Sequence, residues 1–174
     1  MNPNNRYRPA PEQIRALPLY YREAIPPDYL DAMGHMNVRW YMALYDQATW
    51  QLFETIGMTP DYLKANRAGA FALKHVLHYF SEIHAGQTVA LHTRLLARTD
   101  KRFHFMHFMI NETTGLLASH FESLGTHADL EARRSSPFPP HMANALDAGL
   151  SRDRKLDWEA PVCGIIDLSD SQNL

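Results

Sequence analysis

Within the seven residues Asp31-Ala-Met-Gly34-His35-Met-Asn37 the chain gathers a carboxylate, an imidazole and an amide around one glycine. The nineteen residues that follow, Val38 to Ile56, contain neither Pro nor Gly. Val38, Tyr41, Met42, Tyr45, Ala48, Leu52 and Ile56 recur there at the three-and-four spacing of one buried helical face, with Arg39, Asp46, Gln47 and Glu54 on other sides. Asn37 suits the N-cap and Gly57 the left-handed residue that ends a helix. An acid and a base are thereby delivered to a helix N-terminus. Its unpaired N–H groups attract anions and any oxygen on which negative charge develops, and an imidazole with an ordinary pKa of about 6.5 serves as proton donor, proton acceptor or ligand.

The remaining elements are those needed to hold that loop in place. Residues 1–18 carry four of the eleven prolines and read as an arm, ordered where it packs on something. Leu19 to Ile25 is a short strand ended by Pro26-Pro27, and Thr59-Pro60 opens a second helix over Pro60 to Asn66. Four strand-like runs follow: Ala70 to Ile83, Gln87 to Thr99, Arg102 to Glu112 and Leu116 to Asp129. They are separated by His84-Ala-Gly86, Asp100-Lys101 and Thr113-Thr-Gly115, which have hairpin-turn chemistry. Both faces of the third run are apolar, so it is buried on both sides and its second face needs a cover. One long helix against an antiparallel sheet of about five strands is an α+β layer arrangement. The expected organisation is an arm over 1–18, a domain over 19–134, and a C-terminal segment over 135–174 that packs on the domain or a partner. That last segment contains a short helix from Pro137 closed by Gly149 and an apolar tail around Trp158.

Composition removes several function classes. A chain of 174 residues supports one core. Seventeen basic residues nearly balance nineteen acidic ones without a run of either sign, which argues against a nucleic-acid surface or a polybasic membrane patch. Cys163 is the only cysteine, so an internal disulfide is impossible and a reducing, cytoplasmic setting is expected. The polar, Pro-rich start reads as neither secretory signal nor membrane span. No Gly-rich phosphate loop, dinucleotide fingerprint or GxSxG elbow is present. Ten histidines suggest a metal, but His75 with His78, and His104 with His107, stand three apart on strands and point to opposite faces, so no metal or other cofactor is expected.

The loop Asp31-Ala-Met-Gly34-His35-Met-Asn37 with its long aromatic helix resembles the active-site loop of hotdog-fold thioesterases of the 4-hydroxybenzoyl-CoA thioesterase type. Tyr79 to Gly86 resembles the second strand and turn of that family, and Leu95 to His107 its central hairpin. The nearest branch is the one containing betainyl-CoA thioesterases of carnitine breakdown. The resemblance implies a hotdog fold, the helix as filling and the sheet as wrapper. It also implies a homodimer joined edge to edge and possibly a tetramer, with the second copy supplying the missing cover.

The implied activity is hydrolysis of a small or medium acyl-CoA. Asp31 would act as general base or nucleophile, the Val38 amide as oxyanion donor and His35 as auxiliary. Gly34 would let the thioester approach, and Asn37, Tyr41, Lys74 and His78 would face the substrate. Lys101, Arg102, Arg133 and Arg134 are candidates for the coenzyme A phosphates. Two positions depart from the branch: Met33 replaces an expected Asn, and Lys74 an expected acid, which disfavours a trimethylammonium acyl group. A non-catalytic acyl-CoA-binding module and a hotdog hydratase or dehydratase are the competing readings.

Overall fold

The computed structural model describes residues 8–169, so the first part of the arm and the last five residues lie outside the described residues. Tyr41, Leu44, Tyr45, Ala48 and Leu52 form the buried stripe of the long helix, here α2, Val38–Thr55. Asn37 caps it by accepting the Arg39 amide, and Gly57 leaves it at φ +86°. The stripe is turned slightly from the expected one. Leu44 is buried, whereas Val38 and Met42 are exposed.

Ahead of α2 come a short helix α1, Pro11–Arg15, strand β1, Leu19–Ala24, and a 3₁₀ turn, Pro27–Tyr29. After it come α3, Pro60–Asn66, capped by Thr59, and strands β2, Ala68–Tyr79, β3, Thr88–Arg98, β4, Arg102–Asn111, and β5, Leu116–Asp129. A two-residue β6, Arg134–Ser135, and helix α4, Pro140–Asp153, complete the order. The antiparallel sheet runs β1-β3-β4-β5-β2, with β6 added to the end of β5.

Strands β3, β4 and β5 form the expected hairpins. Between β2 and β3 there is no hairpin: β2 pairs with β5 at the far edge. The turn-like residues 81–87 instead carry the chain across the end of the sheet, where other groups claim their backbone. Met36 N–H donates to the Ile83 carbonyl at 2.7 Å, and Gly86 N–H to that of Ile25 at 2.8 Å.

Strand alternation splits β4 between two cores. Phe103, Phe105 and Met109 join the helix layer, and Met106, Phe108 and Ile110 join a second cluster on the outer face. That outer face is covered by the chain's own ends, Ile14 and Leu17 from the arm and Trp158 from the tail. The cover assigned to a second copy is therefore intramolecular: Ile14 of α1 and Leu17 just after it turn onto the sheet, and the Arg94 guanidinium holds Trp158 by a cation–π contact at 4.3 Å and by donating to its carbonyl.

Helix α4 also differs from expectation, continuing past Gly149 to Asp153. A Cβ at Gly149 would lie 2.6 Å from Leu95 Cδ1. This glycine permits α4 to press on β3 and does not terminate it.

Candidate active site

The loop after the 3₁₀ turn folds on itself before entering α2. Asp31 N–H donates to the His35 carbonyl and Gly34 N–H to that of Asp31, both at 3.0 Å, closing a five-residue turn. Gly34 has φ +83°, a left-handed conformation in which glycine carries no Cβ penalty. Nothing lies within 4 Å of where its Cβ would be, so this side of the loop is open. Asn37 N–H donates to Tyr29, and the Tyr29 ring stacks on Trp40 at 3.7 Å, fixing the loop on the first turn of α2.

Asp31 and His35 are brought together, Oδ2 standing 3.7 Å from Nδ1 with both side chains partly buried. The other carboxylate oxygen accepts the Met33 amide at 2.8 Å. Position 33 thus supports Asp31 through its backbone, while the Met33 side chain points to solvent.

His35 and Val38 line a cleft of about 310 Å³ together with Tyr41, Tyr79, Ser81 and Glu82. Asp31 stands one step back from that cleft, against His35. Val38 N–H has no acceptor among the described residues, and it opens the helix whose dipole favours negative charge there. Tyr41 meets Tyr79 edge to face at 4.9 Å, and burial, with Tyr79 and Glu82 nearby, pushes its hydroxyl up to about 12, so it stays a neutral donor. The Asn37 side-chain oxygen is occupied by its capping bond.

The other candidates are placed elsewhere. Lys74 and His78 share the outward parity of β2. Lys74 lies near Asp167 of the tail, and the His78 ring stands 4.7 Å from that of His120 and stacks on Phe80. A bulge between Ala72 and Lys74 resets the alternation, so His75, Leu77 and Tyr79 face the helix instead. Arg102 donates to the Leu168 carbonyl at 2.7 Å and so holds the tail. Arg133 sits over Phe71 at 5.5 Å, Arg134 begins β6, and Lys101 occupies the β3–β4 turn. All four basic residues gather at the Ala68 end of β2, whereas Asp31 and His35 lie at its Tyr79 end, roughly 35 Å away along the strand.

With this arrangement of loop, helix and sheet, a family model described as the thioesterase-like superfamily matches residues 25–146. The chain belongs to that superfamily. Betainyl-CoA thioesterase of Pseudomonas aeruginosa is 26% identical over 148 residues, covering 85% of this chain and 93% of that protein. The L-carnitine dehydrogenase/betainyl-CoA thioesterase of Agrobacterium fabrum is 33% identical over 131 residues, covering 75% of this chain. The present chain spans 27% of that relative's length. A hypothetical protein from Staphylococcus aureus, solved in complex with CoA, superposes with a TM-score of 0.79 at 18% identity over 87% of this chain and 96% of its own, a likeness that establishes the hotdog fold.

This thioesterase-like chain has a second, larger cavity of about 430 Å³, which sequence reading missed. It continues along the seam between α2 and β2, lined on the helix by Met42, Asp46, Thr49, Trp50 and Phe53 and opposite by residues of β2, β4 and β5. Its signal was present in the inward alternation of Phe103, Phe105 and His107. Thr49 donates to the Tyr45 carbonyl at 2.8 Å, so its oxygen accepts from His107 Nε2 at 2.9 Å, and Thr93 donates to Nδ1 at 2.7 Å. His107 is neutral there, pushed down to about 3 by burial and by His75.

Gly125 makes room at one end of the cavity, where a Cβ would lie 2.7 Å from Phe103 Cζ. Gly125→Ala should force that ring off its place between Phe53 and Phe105 and cost about 1–3 kcal/mol. Thermal unfolding measures this, and an unchanged midpoint would contradict the packing described. Among the described residues no helix is long and apolar enough to cross a membrane.

Proposed function

We propose that the protein is a cytoplasmic acyl-CoA thioester hydrolase, acting at the cleft where the Asp31–His35 pair meets the N-terminus of α2. The observation that carries this reading is the unpaired Val38 N–H beside an imidazole that has a carboxylate behind it. Superfamily membership and the thioesterase relatives support it.

In the reaction, the oxygen of water adds to the thioester carbonyl carbon and its proton passes to the Asp31–His35 pair. The carbonyl oxygen takes up the negative charge and is met by the Val38 N–H, a kind of contact worth about a hundred- to a thousand-fold in rate. Collapse of the tetrahedral intermediate breaks the carbon–sulfur bond. The thiolate of coenzyme A leaves, taking up the proton held by the pair, and the free acid remains.

The basic residues enter through a second copy. Strand β2 is an edge of the sheet, the place where a strand of a second copy can be added. Antiparallel pairing of two β2 edges about a two-fold axis brings the Arg133 end of one protomer to the Asp31 end of its partner, where the coenzyme A phosphates need cations. Exposed Val38, Met42, Trp50 and Tyr79 lie along the same seam and suit such an interface.

The test is release of free coenzyme A from a panel of short-chain, medium-chain, aromatic and quaternary-ammonium acyl-CoAs by wild type and Asp31→Asn. The substitution should lower turnover at least about a hundred-fold. Binding without release from any acyl-CoA would replace this reading with that of a binding module.

A further inference from the structure

Five of the seven described tyrosines have a partner for the hydroxyl: Tyr20 has Thr55, Tyr21 and Tyr29 have Glu23, Tyr45 has Ser119 and Tyr62 has His127. The other two, Tyr41 and Tyr79, both line the cleft beside His35 and Val38. Tyr79 is an exposed residue of an edge strand, where water can meet its hydroxyl, but Tyr41 is only 4% exposed. A buried tyrosine hydroxyl usually finds a hydrogen-bond partner. That of Tyr41 has none among the described residues and is not sealed from solvent, so it opens on the cleft.

Its place on α2 aims it. Tyr41 follows Val38 by three residues, so the two share a face of the helix and lie about 4.5 Å apart along its axis. Helical side chains lean toward the N-terminus, and the Tyr41 ring therefore reaches back toward the end where the Val38 N–H is unpaired. Tyr79 of β2 holds that ring edge to face at 4.9 Å, which positions the hydroxyl before any ligand arrives. Neighbouring polar groups are turned away or occupied: Met33 stands at the place of an expected Asn and points to solvent, the Asn37 oxygen is held by its cap, and the Ser81 hydroxyl is sealed from solvent.

We propose that Tyr41 is a catalytic residue, its hydroxyl being the second donor, beside the Val38 N–H, to the oxygen that becomes negative when the thioester carbonyl is attacked. This rests on the thioester hydrolase reading above. No proton changes hands at Tyr41. Its O–H donates a hydrogen bond to the carbonyl oxygen, the bond strengthens as charge develops, and it relaxes when the carbon–sulfur bond breaks. Burial, with Tyr79 and Glu82 nearby, pushes the hydroxyl up to about 12, so it stays protonated beside an anion and remains a donor. Glu82 does not capture it and stands 3.7 Å from His84 instead. The competing role, giving a proton to the departing thiolate, fits poorly: a thiol such as that of cysteine has an ordinary pKa of about 8.5, too weak a conjugate base to take a proton held that firmly.

The experiment follows release of free coenzyme A from acetyl-CoA, decanoyl-CoA, benzoyl-CoA and betainyl-CoA by wild type, Asp31→Asn and Tyr41→Phe, with kcat and KM separated. Tyr41→Phe should lower kcat by about ten- to a hundred-fold and leave KM within about three-fold, because the bond gains its strength in the transition state. The carbonyl is common to all four, so the factor should be the same for every one that wild type hydrolyses. Loss of folding does not confound this variant. It keeps the ring and its contact with Tyr79 and deletes a hydroxyl that has no protein partner, so its unfolding temperature should match that of wild type.

A kcat within about two-fold of wild type, a loss carried by KM, or a loss confined to some acyl groups would each overturn the inference. In those cases inactive Asp31→Asn leaves the hydrolase reading standing. If wild type releases coenzyme A from none of the four, the hydrolase reading and the role of Tyr41 fall together.

Discussion

Lowering the pH from 8 to 5 should remove about 4 kcal/mol of folding stability, well before most carboxylates titrate. The cause is a set of histidines that the fold keeps neutral. Burial and the neighbouring His75 push His107 down to about 3, and burial with His78 and Arg8 nearby pushes His120 down to about 4, although Glu122 pulls the other way. Burial lowers His92 and His127 in the same direction. In the unfolded chain each recovers an ordinary value of about 6.5.

Between that value and the folded one, the unfolded chain binds a proton that the folded chain refuses. Stability is therefore level above about pH 6.5 and falls as pH drops below it, by about 1.4 kcal/mol per unit for each such group. His107 and His120 each contribute about 2 kcal/mol by pH 5 on that basis. Urea midpoints at pH 8, 6.5 and 5 measure the effect, and His120→Leu should remove about half of the slope that these two supply. Equal midpoints at pH 8 and pH 5 would show that the buried imidazoles take up protons without unfolding.

These histidines also mark where sequence reading stops. The three-and-four spacing of Tyr41, Tyr45, Ala48 and Leu52 and the alternation of Phe103 to Ile110 are local patterns, so α2 and β4 were legible. The same holds for the caps Asn37 and Thr59, whose side chains bond a backbone N–H only two or three residues away. The loop from Asp31 to Val38 was readable for a similar reason, since its turn, its glycine and the following helix start are fixed by neighbours in the chain.

Residues on β2 were misplaced because facing along a strand is a parity. One bulge between Ala72 and Lys74 reverses every side chain beyond it, sending Lys74 and His78 outward and His75 inward. The partner of β2 was misassigned for a different reason. Turn residues at 84–86 predict a reversal, but what decides pairing is the long-range bonding of that segment to Ile25 and Met36. The larger cavity is longer-range still, needing α2, β2, β4 and β5 in register before Thr49, His75 and Ser123 meet. Val38 was nominated by the family resemblance, while its unpaired N–H is visible only in three dimensions.

Glu122→Ala should cost about 3–5 kcal/mol and loosen the tail from the sheet. Glu122 lies on β5 and is completely buried on the outer face. One carboxylate oxygen accepts from His104 Nε2 at 2.8 Å and the other from the Cys163 amide at 2.7 Å. Burial alone would raise its pKa; the hydrogen bonds from His104 and Cys163 outweigh it and hold the carboxyl below its usual range, so the anion is the buried species. Truncation to Ala strands two donors away from water, each at about 1–3 kcal/mol, and opens a void beneath the tail. Glu122→Gln keeps the volume and one acceptor, and it should recover roughly half of the loss.

The tail gives a readout that a general loss of packing would not. Cys163 is held through its backbone to Glu122, and burial raises its thiol pKa. If Glu122 anchors that segment, thiol-specific labelling of Cys163 in native buffer should accelerate several-fold in Glu122→Ala, while the cleft proposed as the active site, on the opposite face of the sheet, keeps its substrate preference. Labelling at the wild-type rate in a variant that has lost the expected stability would place the loss in the sheet and leave the tail anchored by contacts such as those of Arg94, Trp158 and Arg102.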